Sequence, residues 1–198
     1  MRRSATPSSA RSLFAILALV ATLAGAPAAH AAVVSYWGML DGASESPPVA
    51  TAGIGTAQVD LDAAAHTMRV RVHFSDLTGL STVCHIHGPT AVAGTGLATV
   101  ATTSPSFAGF PSGVTGGTYD HTLDMTQASS YHPGFLSARG GNVSLAESDL
   151  FAAIDAGKTY VNVHSDLYSS GEIRGFLNLL DPTPATPASW GRIKQLYR

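Results

Sequence analysis

The 198-residue chain has one cysteine, Cys84, so no internal disulfide can form and the fold must be held by its core. Charge is sparse as well, with 11 Lys and Arg against 13 Asp and Glu and a formal net charge of −2. No basic block or stripe occurs, which argues against nucleic-acid partners and against anionic membrane surfaces. No apolar run reaches the roughly 20 residues that span a bilayer, so no transmembrane anchor is expected. No serine or cysteine sits in a nucleophile elbow, which removes the sequence basis for a hydrolase. What the chain does have is eight histidines, 20 glycines and 11 prolines.

The start reads as a leader. Arg2, Arg3 and Arg11 precede an apolar run at 13–23 and then Ala29-His30-Ala31, a small-residue cleavage pattern. Residues 1–31 are therefore predicted to be a secretory signal peptide cleaved near Ala31, leaving a secreted, periplasmic or cell-surface protein. Its removal takes three arginines and no acids, leaving 8 basic residues (11 less three) against 13 acidic and a formal charge of −5. Residues 32–180 form the predicted domain, long enough for a substantial core. Residues 181–189 form a Pro-rich linker, and 190–198 a short tail in which Trp190, Ile193 and Leu196 alternate with Arg192, Lys194 and Arg198.

Within the domain, period-2 alternation predicts strands at 33–40, 53–61, 68–74, 119–125 and 158–164, with a closing strand over 171–179. A further strand runs into Val83-Cys84-His85-Ile86-His87-Gly88. Asp62-Ala-Ala-Ala-His66 is a hairpin connection. The Gly-, Pro-, Ser- and Thr-rich stretch 88–117 is a long connection with one short strand at 96–102. Ser144-Leu-Ala-Glu147 reads as a capping box opening one helix, which Gly157 stops. The alternation of the closing stretch puts Glu172 and Arg174 on one face and Ile173, Leu177 and Leu179 on the core side. Short strands, frequent turns and one helix add up to an all-β sandwich or barrel.

The chemistry is concentrated in His85-Ile86-His87. Successive strand side chains point to opposite faces, so His85 and His87 share one face while Cys84 and Ile86 anchor the strand in the core. Cys84 is thereby a small buried hydrophobe rather than a reactive thiol. His164, at the end of a later strand beside Asn162, supplies a third imidazole, and three imidazoles suit copper, zinc, iron or nickel. No thiolate shares that face, which argues against a blue-copper centre. A fourth ligand, if any, would come from His121 or His132, and His121 is preferred because it sits on an expected strand beside Asp120, which could orient it. His73 reads as a solvated strand histidine. The simpler structural reading gives His85 and His87 only hydrogen bonds to loop backbone. Glu45 is expected to order the Pro47-Pro48 loop, and Glu172 to brace Arg174.

Three blocks together resemble the chordin (CHRD) domain over about residues 33–180. They are Glu45-Ser-Pro-Pro-Val-Ala-Thr-Ala-Gly, Leu77-Thr-Gly-Leu with His85-Ile-His-Gly-Pro, and Gly157-Lys-Thr-Tyr-Val-Asn-Val-His-Ser with Gly171-Glu-Ile-Arg-Gly. The same blocks are more distantly similar to copper/zinc superoxide dismutase. That resemblance implies an antiparallel Greek-key fold with one short helix before the penultimate strand. It also implies copper on His85, His87 and His164, and Arg174 as the catalytic arginine that guides a small anion such as superoxide. The zinc-binding His/Asp cluster of that family is missing from 88–117, so copper is expected without zinc. The functions in competition are an exported copper protein acting on superoxide, metal storage or delivery, and a non-catalytic extracellular module with a protein partner.

Overall fold

The computed structural model describes residues 33–180; the predicted leader, linker and tail lie outside the described residues. The strands are β1 (Val34–Asp41), β2 (Ile54–Asp62), β3 (Thr67–Ser75), β4 (Ser81–His87), β5 (Gly117–Asp124), β6 (Tyr160–Ser165), β7 (Ile173–Phe176) and β8 (Asn178–Leu179). A single turn of 3-10 helix (Ala128–Ser130) and the helices α1 (Pro133–Ser137) and α2 (Val143–Asp155) lie between β5 and β6. All strand pairs are antiparallel, in the order β4-β6-β7-β1-β2-β3-β5 with β8 beside β1, in a sheet curled as a half-barrel. The all-β class read from the sequence is the class observed.

Alternation builds the core directly. Ala57, Val59 and Leu61 of β2 and Met68, Val70, Val72 and Phe74 of β3 are buried, with polar neighbours between them turned outward. Asp62 closes the β2–β3 hairpin by accepting from the Ala64 and Ala65 N–H groups at 3.0 and 2.9 Å, as short acidic side chains do in turns. Helix α2 packs Ala146, Leu150 and Ile154 onto the same core.

Three local expectations are corrected. Asn142, not Ser144, caps α2, its side chain accepting from Leu145 N–H at 3.0 Å, while Glu147 turns to His66 Nδ1 at 2.9 Å. The stop at Gly157 holds: its φ is +64°, and Lys158 N–H returns to Ala153 O at 2.9 Å. Leu179 is exposed rather than in the core, because the closing stretch breaks into β7 and the two-residue β8.

Stretch 96–102 is the third correction, since it makes isolated bridges and no strand. Its backbone runs along the outer edge of β4. Ala101 N–H bonds to Ile86 O at 2.9 Å, Ile86 N–H to Thr102 Oγ1 at 3.0 Å, and Cys84 N–H to Ser106 Oγ at 3.0 Å. Hydroxyls stand in for backbone acceptors, so the edge is satisfied without a regular ladder. That connection also covers the histidine face of β4.

Candidate metal centre

β4 and β6 pair with His85 opposite Asn162 and His87 opposite Tyr160. Partners across an antiparallel ladder share a face, and His164 lies two residues beyond Asn162 on that face. The three imidazoles therefore converge, with ring centroids 5.3 Å (His85–His164), 5.7 Å (His85–His87) and 5.9 Å (His87–His164) apart. Their candidate ligand atoms all lie within 4.8 Å of one another.

Each ring is held by one nitrogen and offers the other. His87 Nδ1–H donates to Ala98 O at 2.9 Å, His164 Nδ1–H to Ser169 O at 3.0 Å, and His85 Nε2–H to Pro105 O. The remaining atoms, His85 Nδ1, His87 Nε2 and His164 Nε2, are buried with no hydrogen-bond partner. A carbonyl that accepts from one ring nitrogen fixes the tautomer and leaves a lone pair on the other. Buried polar atoms are nearly always bonded, so three such lone pairs at one place could hold an electron-pair acceptor such as a metal ion. A cation with borderline ligand preference fits this donor set.

Electrostatics point the same way. Burial pushes the imidazole pKa of all three below the usual histidine value, that of His87 to about 4. Repulsion from His164 and His132 adds to the shift at His85, and repulsion from His164, His85 and Arg174 adds to that at His87. The cluster is thus a neutral, ligand-ready triad at neutral pH. Both sequence readings of His85 and His87 describe part of it, because loop carbonyls hold one nitrogen of each ring while the second nitrogens converge.

The other residues singled out in the sequence lie elsewhere or act differently. His121 is exposed on β5 and outside the cluster. Asp120 does not orient it but grips Arg69, at 2.6 and 2.7 Å. His132 is the N-cap of α1, its Nδ1 accepting from Gly134 N–H at 3.0 Å. His73 is exposed on β3, with Nδ1 3.3 Å from Thr118 Oγ1. Cys84 is wholly buried on the opposite face, where burial pushes the thiol pKa up.

Arg174 is buried on β7, directly opposite Asn162 and so one strand beyond the His85 row. Its Nε donates to Ser44 O and its Nη1 to Gly96 O at 3.2 Å, and its guanidinium carbon stands 4.8 Å from the Tyr160 ring centroid. The expected bracing by Glu172 is not what forms. Glu172 is wholly buried and accepts from Thr51 Oγ1 at 2.6 Å, from Gly79 N–H at 3.1 Å and from Thr78 N–H. It orders the turn before β4, and the carboxylate near Arg174 is that of Glu45, Oε2 to Nε 3.8 Å. Glu45 thus takes the place expected of Glu172, and Glu172 a different one, because Thr78 and Gly79 bring it backbone donors that no local pattern reveals.

Tyr160 and Asn162 also belong to the site: Tyr160 stacks on His87 with centroids 4.9 Å apart, and Asn162 separates the His85 and Arg174 rows. Alternation along β6 puts both on the His164 face, which was the available signal.

No curated protein and no solved structure matches the chain. The family model of the CHRD domain matches residues 38–177, well over half of the 198 residues and including every residue of the cluster, and the chain therefore belongs to the CHRD domain family.

Proposed function

We propose that this is an exported CHRD protein that binds one copper ion through His85 Nδ1, His87 Nε2 and His164 Nε2. The observation that carries the reading is the set of three buried imidazole nitrogens without partners, lying within 4.8 Å of one another. Copper is favoured over zinc because a neutral nitrogen set binds Cu(II) more tightly than Zn(II) in the usual affinity order. Export rests on the leader-like residues 1–31.

Copper, when bound, supplies one-electron redox chemistry, and Arg174 adds a fixed positive charge near the site that favours a small anion such as superoxide. Retention of copper without turnover is the second reading. It is favoured by the burial of Arg174 and by its hydrogen bonds to Ser44 O and Gly96 O.

The decisive experiment is titration of the purified protein with Cu(II), followed by electron paramagnetic resonance, beside the His85→Ala/His87→Ala double variant. One equivalent of a nitrogen-ligated Cu(II) signal, lost in a double variant that keeps its circular dichroism, is expected. Equal uptake by both proteins would end the reading. A superoxide-removal assay on the loaded protein then separates turnover from retention.

A further inference from the structure

Glu45, in the turn after β1, is buried (7% exposed). Its Oε2 lies near Arg174 Nε, whereas its Oε1 has no hydrogen-bond partner, and neither has Oδ1 of Asn162. Both orphan oxygens crowd the same glycine: a Cβ added at Gly171 would lie 2.5 Å from each. Asn162 Nδ2 stands 2.4 Å from the same point but is directed at the Ser170 carbonyl, so neither buried oxygen has a donor aimed at it. Turning the Asn162 amide over would supply a donor to Glu45 Oε1 only by setting an oxygen against the Ser170 carbonyl, which Nδ2 now faces at 3.4 Å. A protonated carboxyl supplies the missing donor, its O–H donating and the amide oxygen accepting.

The surroundings allow a neutral acid at this position. The charged neighbours are Arg174 on β7, Asp41 on β1 and, across Asn162, the imidazoles of β4 and β6; Glu172 faces the turn before β4 instead. Asp41 is occupied in accepting from Ser44 N–H at 2.7 Å. Arg174 also has carbonyl acceptors in Ser44 and Gly96, so its guanidinium keeps hydrogen-bond partners whether or not Glu45 is ionised. Burial pushes the Glu45 carboxyl up to about 7, against the opposing pull of Arg174, the Ser46 N–H and Asn162. Asn162 stands directly opposite His85, which places Glu45 one side chain from the triad.

We propose that Glu45 holds a proton on Oε1 in mildly acidic solution, donated to Asn162 Oδ1, and that a cation entering the His85/His87/His164 centre expels it. The bond broken is Glu45 Oε1–H; the proton leaves to solvent, and the carboxylate left behind offsets part of the charge the cation brings. A nearby positive charge favours the ionised acid, and the coupling is reciprocal, so the centre holds its cation more tightly as pH rises through the Glu45 titration. The second half of this proposal rests on the metal-binding reading; the first half does not.

The test has two arms. In metal-free protein, carbon-13 NMR of the glutamate carboxyls, with Glu45 assigned by its loss in Glu45→Gln, is expected to show a midpoint near 7 for Glu45. A midpoint near the ordinary 4.5 would overturn the proposal. Calorimetric titration with Cu(II) at about pH 6, in two buffers of different ionisation heat, then counts the protons released. Wild type is expected to release close to one proton more than Glu45→Gln, whose amide keeps the shape and can still donate to Asn162. Equal counts would overturn the coupling. If neither protein bound copper, the metal reading would fall and the coupling with it, while the carboxyl midpoint would still decide whether Glu45 is protonated.

Discussion

His87 and Tyr160 lie face to face across the β4–β6 ladder, 4.9 Å between ring centroids and 8° from parallel, and both bind the carbonyl of Ala98. The tyrosine hydroxyl is 3.3 Å from that oxygen and also accepts from Ala98 N–H at 3.3 Å. Tyr160 thus fixes both the plane of the His87 ring and the carbonyl that sets its tautomer. Loss of such an orienting partner typically weakens metal binding about 10- to 100-fold. Tyr160→Leu is expected to weaken Cu(II) binding by that factor, and Tyr160→Phe, which keeps the ring, by less than about tenfold. Dissociation constants from competition with a chelator of known affinity check this.

Acid should unfold the metal-free protein by way of the triad. The folded pKa values of His85, His87 and His164 lie below the ordinary 6.5, so the unfolded chain takes up protons first as pH falls. The stability they contribute is complete above 6.5 and is lost as pH falls towards the folded values, about 4 for His87. For His87 alone the loss is up to about 3 kcal/mol. Glu45 works the other way: its contribution is complete below 4.5 and is lost as pH rises through about 7. Urea unfolding from pH 4 to 8 should show a shallower acid slope in His87→Gln than in wild type, and a steeper rise of stability with pH between 4.5 and 6.5 in Glu45→Gln, where the opposing Glu45 contribution is gone. An unchanged acid slope in His87→Gln would contradict the buried, neutral state of that ring.

Glu172 is a structural carboxylate. Burial pushes its pKa up, but hydrogen bonds from Ser165, Thr51 and the N–H groups of Thr78 and Gly79 outweigh this and hold it below the usual value. Its contribution is therefore present above 4.5 and falls away on acidification. Glu172→Gln sets amide hydrogens or a neutral oxygen against those donors, and about 2–3 kcal/mol of destabilisation at pH 7 is expected from denaturant midpoints. If Glu172 merely braced Arg174 at the site, the same variant would alter copper affinity and leave stability near wild type.

Gly175 marks where β7 meets β1. A Cβ there would lie 1.9 Å from Met39 O, so the strand could not keep its register. Gly175→Ala is expected to cost about 3 kcal/mol, at the upper end for overpacking, because the obstacle is backbone rather than a side chain that can swing away. Thermal unfolding measures it; a melting temperature within a degree or two of wild type would show that β7 has room to shift.

Much of the site could be read from alternation. It put His85 and His87 on one face with Cys84 and Ile86 in the core, and it placed Tyr160, Asn162 and His164 together on another strand, because a strand's side-chain period of two follows from local backbone geometry. The same pattern gave Arg174 to Glu172, its neighbour two residues away. Which carboxylate meets the guanidinium depends on a turn at 42–49 and another at 78–79, more than 90 residues from β7 and brought there only by the fold.

By itself the sequence determined the all-β class, the paired histidines and the faces of their strands, all consequences of covalent geometry and spacing. The tertiary structure alone decided that His85 is buried and His87 half-buried, which nitrogen of each is free, and that Glu45 rather than Glu172 stands by Arg174. Those outcomes depend on where the carbonyls of Ala98, Pro105 and Ser169 come to rest. A chain's local pattern sets the direction in which a side chain points, but the atom that meets it comes from whichever distant segment packs there.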